Sequence, residues 1–429
     1  MKVNVLWFRR DLRLHDNTAL RNALDSGLPV LPVFIFDNNI INELPSTDPR
    51  VSFIHETLEN INSNLNEKGS SLLVLKDEPE SAWKKLIAAF DIKQVFISKD
   101  YEPYSIDRDK RIKIILDQHS IGLSVYKDQV IFEENELVKS DGKPYTVFTP
   151  YKNRWLQKFH SEAPKETRDK AQSDWNFYAD DHPFPSLKRI GFERSTLKVK
   201  PYDLSVINDY HKFRDLPADD RTSYLSPHLR FGTVSIRDLV KISDRQNQVF
   251  LSELIWREFF MQILFHYPEV VTENFKTKYD NIHWRNDERE FERWCNGETG
   301  YPIVDAGMRQ LNCTGYMHNR VRMITAGFLC KHLLIDWRWG EAWFAQKLLD
   351  YELSSNNGNW QWAAGTGCDA APWFRVFNPY SQQEKFDPDK EYIRKWVSEY
   401  GKSTYPEPLV EHDFARKRAL ETYKAGLRF

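Results

Sequence analysis

The sequence predicts a doubly wound α/β domain followed by an all-helical domain. Three observations carry this. Short apolar runs alternate with helical spacings over the first 130 residues. Strand signals stop near residue 200, and only helical spacings follow. The tryptophans, 14 in all, concentrate in the C-terminal half.

In order, Val3–Phe8 is a compact apolar run that predicts a strand, and Asn17–Leu24 a short helix. Val30–Phe36 predicts a strand, Ser52–Glu67 a helix, Ser71–Leu75 a strand and Ser81–Phe90 a helix. Gln94–Ser98, Ile106–Gln118 and Leu123–Tyr126 continue as strand, helix, strand. This alternation builds βαβ units and hence a parallel sheet. No GxGxxG follows the first strand, so the usual dinucleotide fingerprint is absent. Arg9-Arg10-Asp11-Leu12-Arg13 stands there instead. It reads as a charged loop at the sheet edge where ligands of such folds bind. Residues 131–200 are rich in proline, with Pro144, Pro150, Pro164, Pro183 and Pro185 and a polar stretch Gln172–His182. They predict a surface connector. Residues 201–429 form the helical domain, with helices expected over Ile236–Val249, Ser252–His266, Glu288–Asn296, Ile303–Leu311, His318–Leu334 and Glu341–Leu349.

The chain has 429 residues, with 60 Lys+Arg against 62 Asp+Glu. Near-neutrality argues against a strong non-specific nucleic-acid binder, so any polyanion site is a local patch. Four cysteines without CxxC spacing predict reduced thiols, no zinc site and a cytoplasmic protein. No apolar run reaches 18 residues, so no membrane helix is expected.

Three segments of the second half carry chemistry. Thr222-Ser223-Tyr224-Leu225-Ser226-Pro227 places hydroxyls before a helix, as a plain N-cap or a phosphate cradle. Arg309 to Ile335 holds Arg309, Arg320, Arg322 and Lys331 but no carboxylate. That is either a solvated charged face or a patch for phosphates and base edges. In Asn356-Asn357-Gly358-Asn359-Trp360-Gln361-Trp362, two Trp two apart break an amphipathic helix pattern, and Gly358 predicts close approach to something flat. Packing alone leaves the polar residues beside the rings unexplained.

With these segments the sequence resembles the photolyase/cryptochrome flavoproteins over nearly its whole length. The matching stretches are LWFRRDLRLHDNTAL (Leu6–Leu20), TSYLSPHLRFG (Thr222–Gly232), ELIWREF (Glu253–Phe259), GYPIVDAGMRQLNCTGYMHNRVR (Gly300–Arg322) and NNGNWQWAAGTGCDAAPWFRVFNP (Asn356–Pro379). Within the family it is most similar to class I cyclobutane pyrimidine dimer photolyases.

The resemblance implies an antenna domain and a helical domain holding a folded, U-shaped FAD. Tyr210, Thr222, Ser223, Tyr224, Leu225 and Ser226 match positions that bind the flavin phosphates and ribose. Phe250, Arg257, Arg322, Asp350, Tyr351, Glu352 and Asn356 match the rest of the cofactor site. Arg322 and Asp350 are implied as an ion pair beside the isoalloxazine, and Asn356 as the residue facing its N5. Phe250 and Glu352 depart mildly from the Trp and Asp that are frequent there. Glu253, Asn319, Met323, Trp256 and Trp362 match the lesion pocket, and Asn319 and Met323 favour the cyclobutane dimer over the (6-4) photoproduct. Arg214, Asn319, Arg320, Arg375, Gln382 and Lys385 match positions that hold DNA around a flipped-out lesion. Trp284, Trp337 and Trp360 match the electron-transfer chain. Trp339, Trp343 and Trp373 have no such match and read as packing.

The implied activity is light-driven deoxyribodipyrimidine photo-lyase repair of UV-damaged DNA, by an electron lent from reduced FAD and returned. The alternative is a cryptochrome photoreceptor without repair. Asp100-Tyr101-Glu102-Pro103-Tyr104 lies where relatives hold a second antenna chromophore, and the match does not choose between methenyltetrahydrofolate and a deazaflavin. A monomer with no metal and no membrane partner is expected.

Overall fold

Five apolar runs form one parallel sheet: β1 (Lys2–Phe8), β2 (Val30–Asp37), β3 (Leu73–Asp77), β4 (Asp91–Ser98) and β5 (Gly122–Tyr126), in the order β3-β2-β1-β4-β5. The computed structural model describes residues 1–162 and 175–427. Six of the seven residues of β1 and all of β2 are buried, as a sheet covered on both faces requires. Side chains alternate: Leu6 and Phe8 enter one apolar core, and Val3, Val5 and Trp7 the other. Helices α1 (Thr18–Asp25), α2 (Asn38–Ile41), α3 (Pro49–Asn66), α4 (Pro79–Ala89) and α5 (Pro103–Gln118) connect the strands.

The strand order reverses between β1 and β4, the place where open α/β sheets bind ligands. Here the Arg9–Arg13 loop is occupied by ion pairs. Arg9 meets Asp109 at 2.6 Å, Arg10 meets Glu102 at 2.9 Å and Asp100 at 3.2 Å, and Arg13 meets Asp128 at 2.7 Å. Burial opposes ionisation of Asp100, but Arg10, Arg9 and Arg230 outweigh it and hold the carboxyl well below its ordinary range. Gly232, at φ 67°, lets the backbone of α8 (Leu225–Phe231) close on this loop, since a Cβ there would overlap the Arg10 carbonyl.

Chain contacts define two units that interleave along the sequence. One comprises Met1–Glu136, Leu156–Tyr202 and Tyr224–Ile242, the other Leu137–Trp155, Asp203–Ser223 and Ser243–Phe429. The surface connector expected over 131–200 is not a bare loop. It carries α6 (Phe148–Ser161), whose Tyr151 and Trp155 are buried. Pro150 sits in the first turn of that helix, where a missing N–H costs nothing. Of the polar and proline residues expected there, those in 163–174 lie outside the described residues.

The second unit contains α7 (Tyr210–Phe213), α10 (Gln248–His266), α11 (Glu288–Asn296), α12 (Pro302–Thr314), α13 (Asn319–Gly327), α14 (Trp337–Lys347), α15 (Leu353–Ala364), α16 (Pro379–Phe386), α17 (Glu391–Trp396) and α18 (His412–Gly426). Helix α9 (Ile236–Gln246) ends before Val249, because the Asn247 side chain accepts from the N–H of Val249 and Phe250 and starts α10. The helix expected over His318–Leu334 is continuous only to Gly327 and then widens into a π turn at Phe328–His332. The 356–362 segment, whose Trp spacing breaks an amphipathic pattern, is helical. Helix α15 is buried on several faces, so an amphipathic stripe is not required of it. Its polar groups serve the fold. Asn357 and Gln361 both donate to the Val270 carbonyl, and Gln361 accepts from the Phe275 N–H at 2.9 Å. The flat object under Gly358 is the Phe260 ring.

Candidate functional site

Three helices of the second unit carry most of the expected residues, and α15 packs on both α10 and α13. On α10, Phe250 and Trp256 are three residues either side of Glu253, and Arg257 is four beyond it, so each lies beside Glu253. Glu253 accepts an ion pair from Arg214 at 2.8 Å. Burial raises the Glu253 carboxyl pKa, and Arg214 only partly offsets this. Arg214 also lies 5.3 Å over Tyr210, whose ring meets Phe250 edge-on at 5.0 Å. Trp256 is half-buried and stacked on Phe148 at 3.6 Å and 8°. Sequence reasoning missed Phe148, which lay in the presumed connector.

Helix α13 carries the next group. His318 caps it, accepting the Arg320 N–H at 3.2 Å. Burial pushes the His318 pKa down to about 4. Asn319 is exposed in the first turn, one turn before half-buried Met323. Arg320 pairs with Asp215 at 2.7 Å, reaches the Met323 sulfur at 3.5 Å and covers the Phe386 ring at 4.4 Å. Arg322 is held by the Met317 carbonyl at 2.9 Å and by both oxygens of half-buried Asp350, at 2.9 and 3.2 Å. The basic patch expected over 309–335 is therefore not a free one. Arg309, Arg320 and Arg322 pair with Glu399, Asp215 and Asp350, acids distant in sequence.

Helix α15 supplies Asn356, Trp360 and Trp362. The Asn356 amide nitrogen donates to the Glu341 carboxylate at 2.8 Å and the Glu341 carbonyl at 3.1 Å. Among the described residues its Oδ1 accepts nothing, although Asn356 is 9% exposed. Glu341 was not anticipated, because only the packing of α14 on α15 brings it to Asn356. Before α15, Glu352 is buried, pairs with Arg257 at 3.2 Å and accepts from Ser355. Tyr351 packs against the same core. Trp360 and Trp337 are buried in one apolar cluster, and Trp284 packs at its border. The ring neighbours of Trp360 are Trp294 and Phe344, and that of Trp284 is Tyr423 at 5.9 Å. The Trp337 indole donates to Asn274 at 2.9 Å. Trp339 and Trp343 pack on the same cluster, and Trp373 stacks on Tyr423.

Thr222 is exposed and Ser223 half-buried in the second unit. In the first unit, Tyr224 takes a left-handed φ of 53° at the start of α8, its hydroxyl accepting from Lys200 at 2.6 Å. Leu225 behind it is buried and Ser226 exposed. Arg375 and Lys385 are exposed and Gln382 half-buried, on and beside α16. A cavity of about 640 Å³ in the first unit, lined by His55, Phe184, Leu187 and Arg194 among others, contains none of the expected site residues.

The donor set tests the fit of a flavin. An amide oxygen that accepts from no described residue, and a guanidinium fixed by Asp350, are an acceptor and a fixed cation of the kind a flavin ring would use. These residues fit FAD. Among the described residues no cluster of His, Cys, Asp and Glu could hold a metal, and no helix is long and apolar enough to cross a membrane.

Comparison with known proteins points the same way. A family described as the FAD binding domain of DNA photolyase matches residues 250–404, and one described as DNA photolyase matches residues 4–169. A deoxyribodipyrimidine photo-lyase of Halobacterium salinarum is 35% identical, over 98% of this chain and 99% of its own. The solved photolyase of Sulfolobus tokodaii, which holds two FAD molecules, superposes with a TM-score of 0.86 at 36% identity, covering 99% of this chain and 100% of its own. A class III photolyase of Agrobacterium tumefaciens gives 0.86 at 34% identity, covering 100% and 98%.

Proposed function

From the premise that the chain belongs to the DNA photolyase family, we propose that it holds FAD in its helical unit and repairs cyclobutane pyrimidine dimers in UV-damaged DNA under light. It is a light-driven lyase and not a receptor alone. The observation that carries this is the pairing of two sites on shared helices. Asn356 and Arg322–Asp350 suit the cofactor, while Trp256, Trp362, Glu253, Asn319 and Met323 suit the lesion.

Bound FAD supplies the light-absorbing electron donor. Arg322, clamped by Asp350, would offer the flavin ring one guanidinium in a single geometry. Asn356, oriented by Glu341, presents an acceptor that cannot ionise. Trp256 and Trp362 offer apolar walls to a flipped-out dimer, for which extrusion costs less than for an intact pair. Glu253, its pKa raised by burial, hydrogen-bonds a pyrimidine edge and steadies the negative charge that develops there. Arg320, Arg375, Gln382 and Lys385 hold phosphates, which fixes register without reading sequence. Trp284, Trp337 and Trp360 are neutral oxidisable rings leading from the border of the core to its interior. Soluble placement in the cytoplasm and action as a monomer complete the reading.

The test is binding. Purified protein is expected to release FAD on denaturation and to hold duplex DNA with one thymine dimer at least about a hundredfold more tightly than undamaged duplex. Equal affinity for the two duplexes overturns the reading.

A further inference from the structure

Lys331 is a lysine at 3% exposure that the chemistry above does not use. Its ammonium has three N–H donors, and they meet three separate segments. Nζ donates to the Ala364 carbonyl at 2.7 Å, at the C-terminus of α15. It donates to the Trp373 carbonyl at 3.3 Å, in the loop after that helix. It also lies 3.7 Å over the ring of Tyr423 on α18. The Tyr423 hydroxyl donates to the same Ala364 carbonyl at 2.7 Å. Gly365 completes the knot with a left-handed φ of 87°, and a Cβ there would sit 3.3 Å from both Nζ and Trp373 Cα.

Burying an ammonium is costly, and no carboxylate lies among its hydrogen-bond partners. Burial pushes its pKa down to about 7. A methionine would fill the same space without that cost. Its donors do something an apolar side chain cannot. They meet a carbonyl at a helix C-terminus, where carbonyls lack helical partners, and here the same Nζ ties that terminus to the loop that follows. The helix carries Trp362, and the loop carries exposed Phe374 and Arg375.

We propose that Lys331 is a positioning residue that fixes the loop bearing Phe374 and Arg375 to the end of the helix bearing Trp362, so that the lesion wall and the DNA-holding face keep one spacing. This rests on the reading that Trp362 meets the dimer and Arg375 the DNA. Lys331 acts through Arg375, so the two residues are energetically coupled.

A double-mutant cycle on the FAD-loaded protein tests this, read as the Kd for a duplex with one thymine dimer. Lys331→Met and Arg375→Ala are each expected to weaken binding about tenfold, and the double variant also by about tenfold rather than a hundredfold. Lys331→Gln, which keeps a donor for Ala364, is expected to lose less than Lys331→Met and serves in the cycle if Lys331→Met does not fold. Undamaged duplex is expected to lose affinity to a similar extent in Lys331→Met and in Arg375→Ala, because a phosphate contact does not depend on the lesion. A merely structural role would multiply the losses, and multiplied losses, or no loss in Lys331→Met, overturn the proposal alone. If Arg375→Ala leaves the Kd unchanged, the reading of the DNA face falls, and the proposal with it.

Discussion

The amide nitrogen of Asn356 donates at 2.8 Å to the Glu341 carboxylate, which fixes which end of the amide faces away. The end left over is Oδ1, an acceptor. Burial raises the Glu341 pKa and the Asn356 hydrogen bond lowers it. Either protonation state of Glu341 retains an oxygen that accepts from Asn356, so the orientation survives changes of pH.

Removing the carboxylate leaves the amide the longer bond to the Glu341 carbonyl, at 3.1 Å, and loosens its orientation. Glu341→Ala is expected to retain FAD but to slow its photoreduction by about tenfold, the scale of a misplaced contact. Glu341→Gln keeps an acceptor and is expected to stay near wild type. Photoreduction in the presence of a thiol donor, followed by absorption, is the measurement. An unchanged rate in Glu341→Ala would show that Asn356 needs no such support.

Glu253 separates hydrogen bonding from charge. Glu253→Gln is expected to keep most of the dimer affinity, because the amide keeps a hydrogen-bonding group at the pyrimidine edge while removing the charge. Glu253→Ala is expected to lower repair yield several-fold without loss of flavin. Equal repair yields for Glu253→Ala and wild type would remove Glu253 from the site.

Trp284→Phe is expected to slow photoreduction of oxidised FAD by at least about tenfold and to leave repair by pre-reduced protein within about twofold of wild type. Loss of repair in the pre-reduced variant contradicts the relay role.

Close packing sets the stability of the same helices. A Cβ on Gly340 would overlap the Trp360 ring, and one on Gly358 the Phe260 ring. Gly340→Ala and Gly358→Ala are each expected to cost about 2 kcal/mol or more in urea unfolding. Gly327→Ala would meet only Phe377, at 3.6 Å. It is expected to be neutral or stabilising by up to about 1 kcal/mol.

His318 gives a pH signature. Its pKa is about 4 in the fold against an ordinary 6.5, because burial disfavours the cation. Above pH 6.5 both states are neutral and this group adds no pH dependence. As pH falls from 6.5 to 4 the unfolded chain takes the proton first, so stability declines, by at most about 3 kcal/mol. Urea unfolding of wild type against His318→Asn, which caps without titrating, checks this. Parallel pH profiles for the two proteins would contradict it.

Much of this was legible in the sequence, for physical reasons. The strands were visible because a sheet covered on both faces demands near-continuous apolar runs, as in Val30–Phe36. The polar residues of α15, Asn357 and Gln361, were unexplained in the sequence because they are satisfied by carbonyls of a distant segment, Val270 and its neighbours. The 309–335 patch looked unpaired because its acids come from Asp215, Asp350 and Glu399. Glu341 and Phe148 carry no local signal, and Lys331 showed only as part of that patch, since the partners of all three are set by packing.

The most direct measurement is dimer content in UV-irradiated DNA incubated with pre-reduced protein, in blue light and in the dark. Cyclobutane dimers are expected to disappear in the light alone while (6-4) photoproducts persist. Dimers that survive illumination at full flavin occupancy would contradict the account.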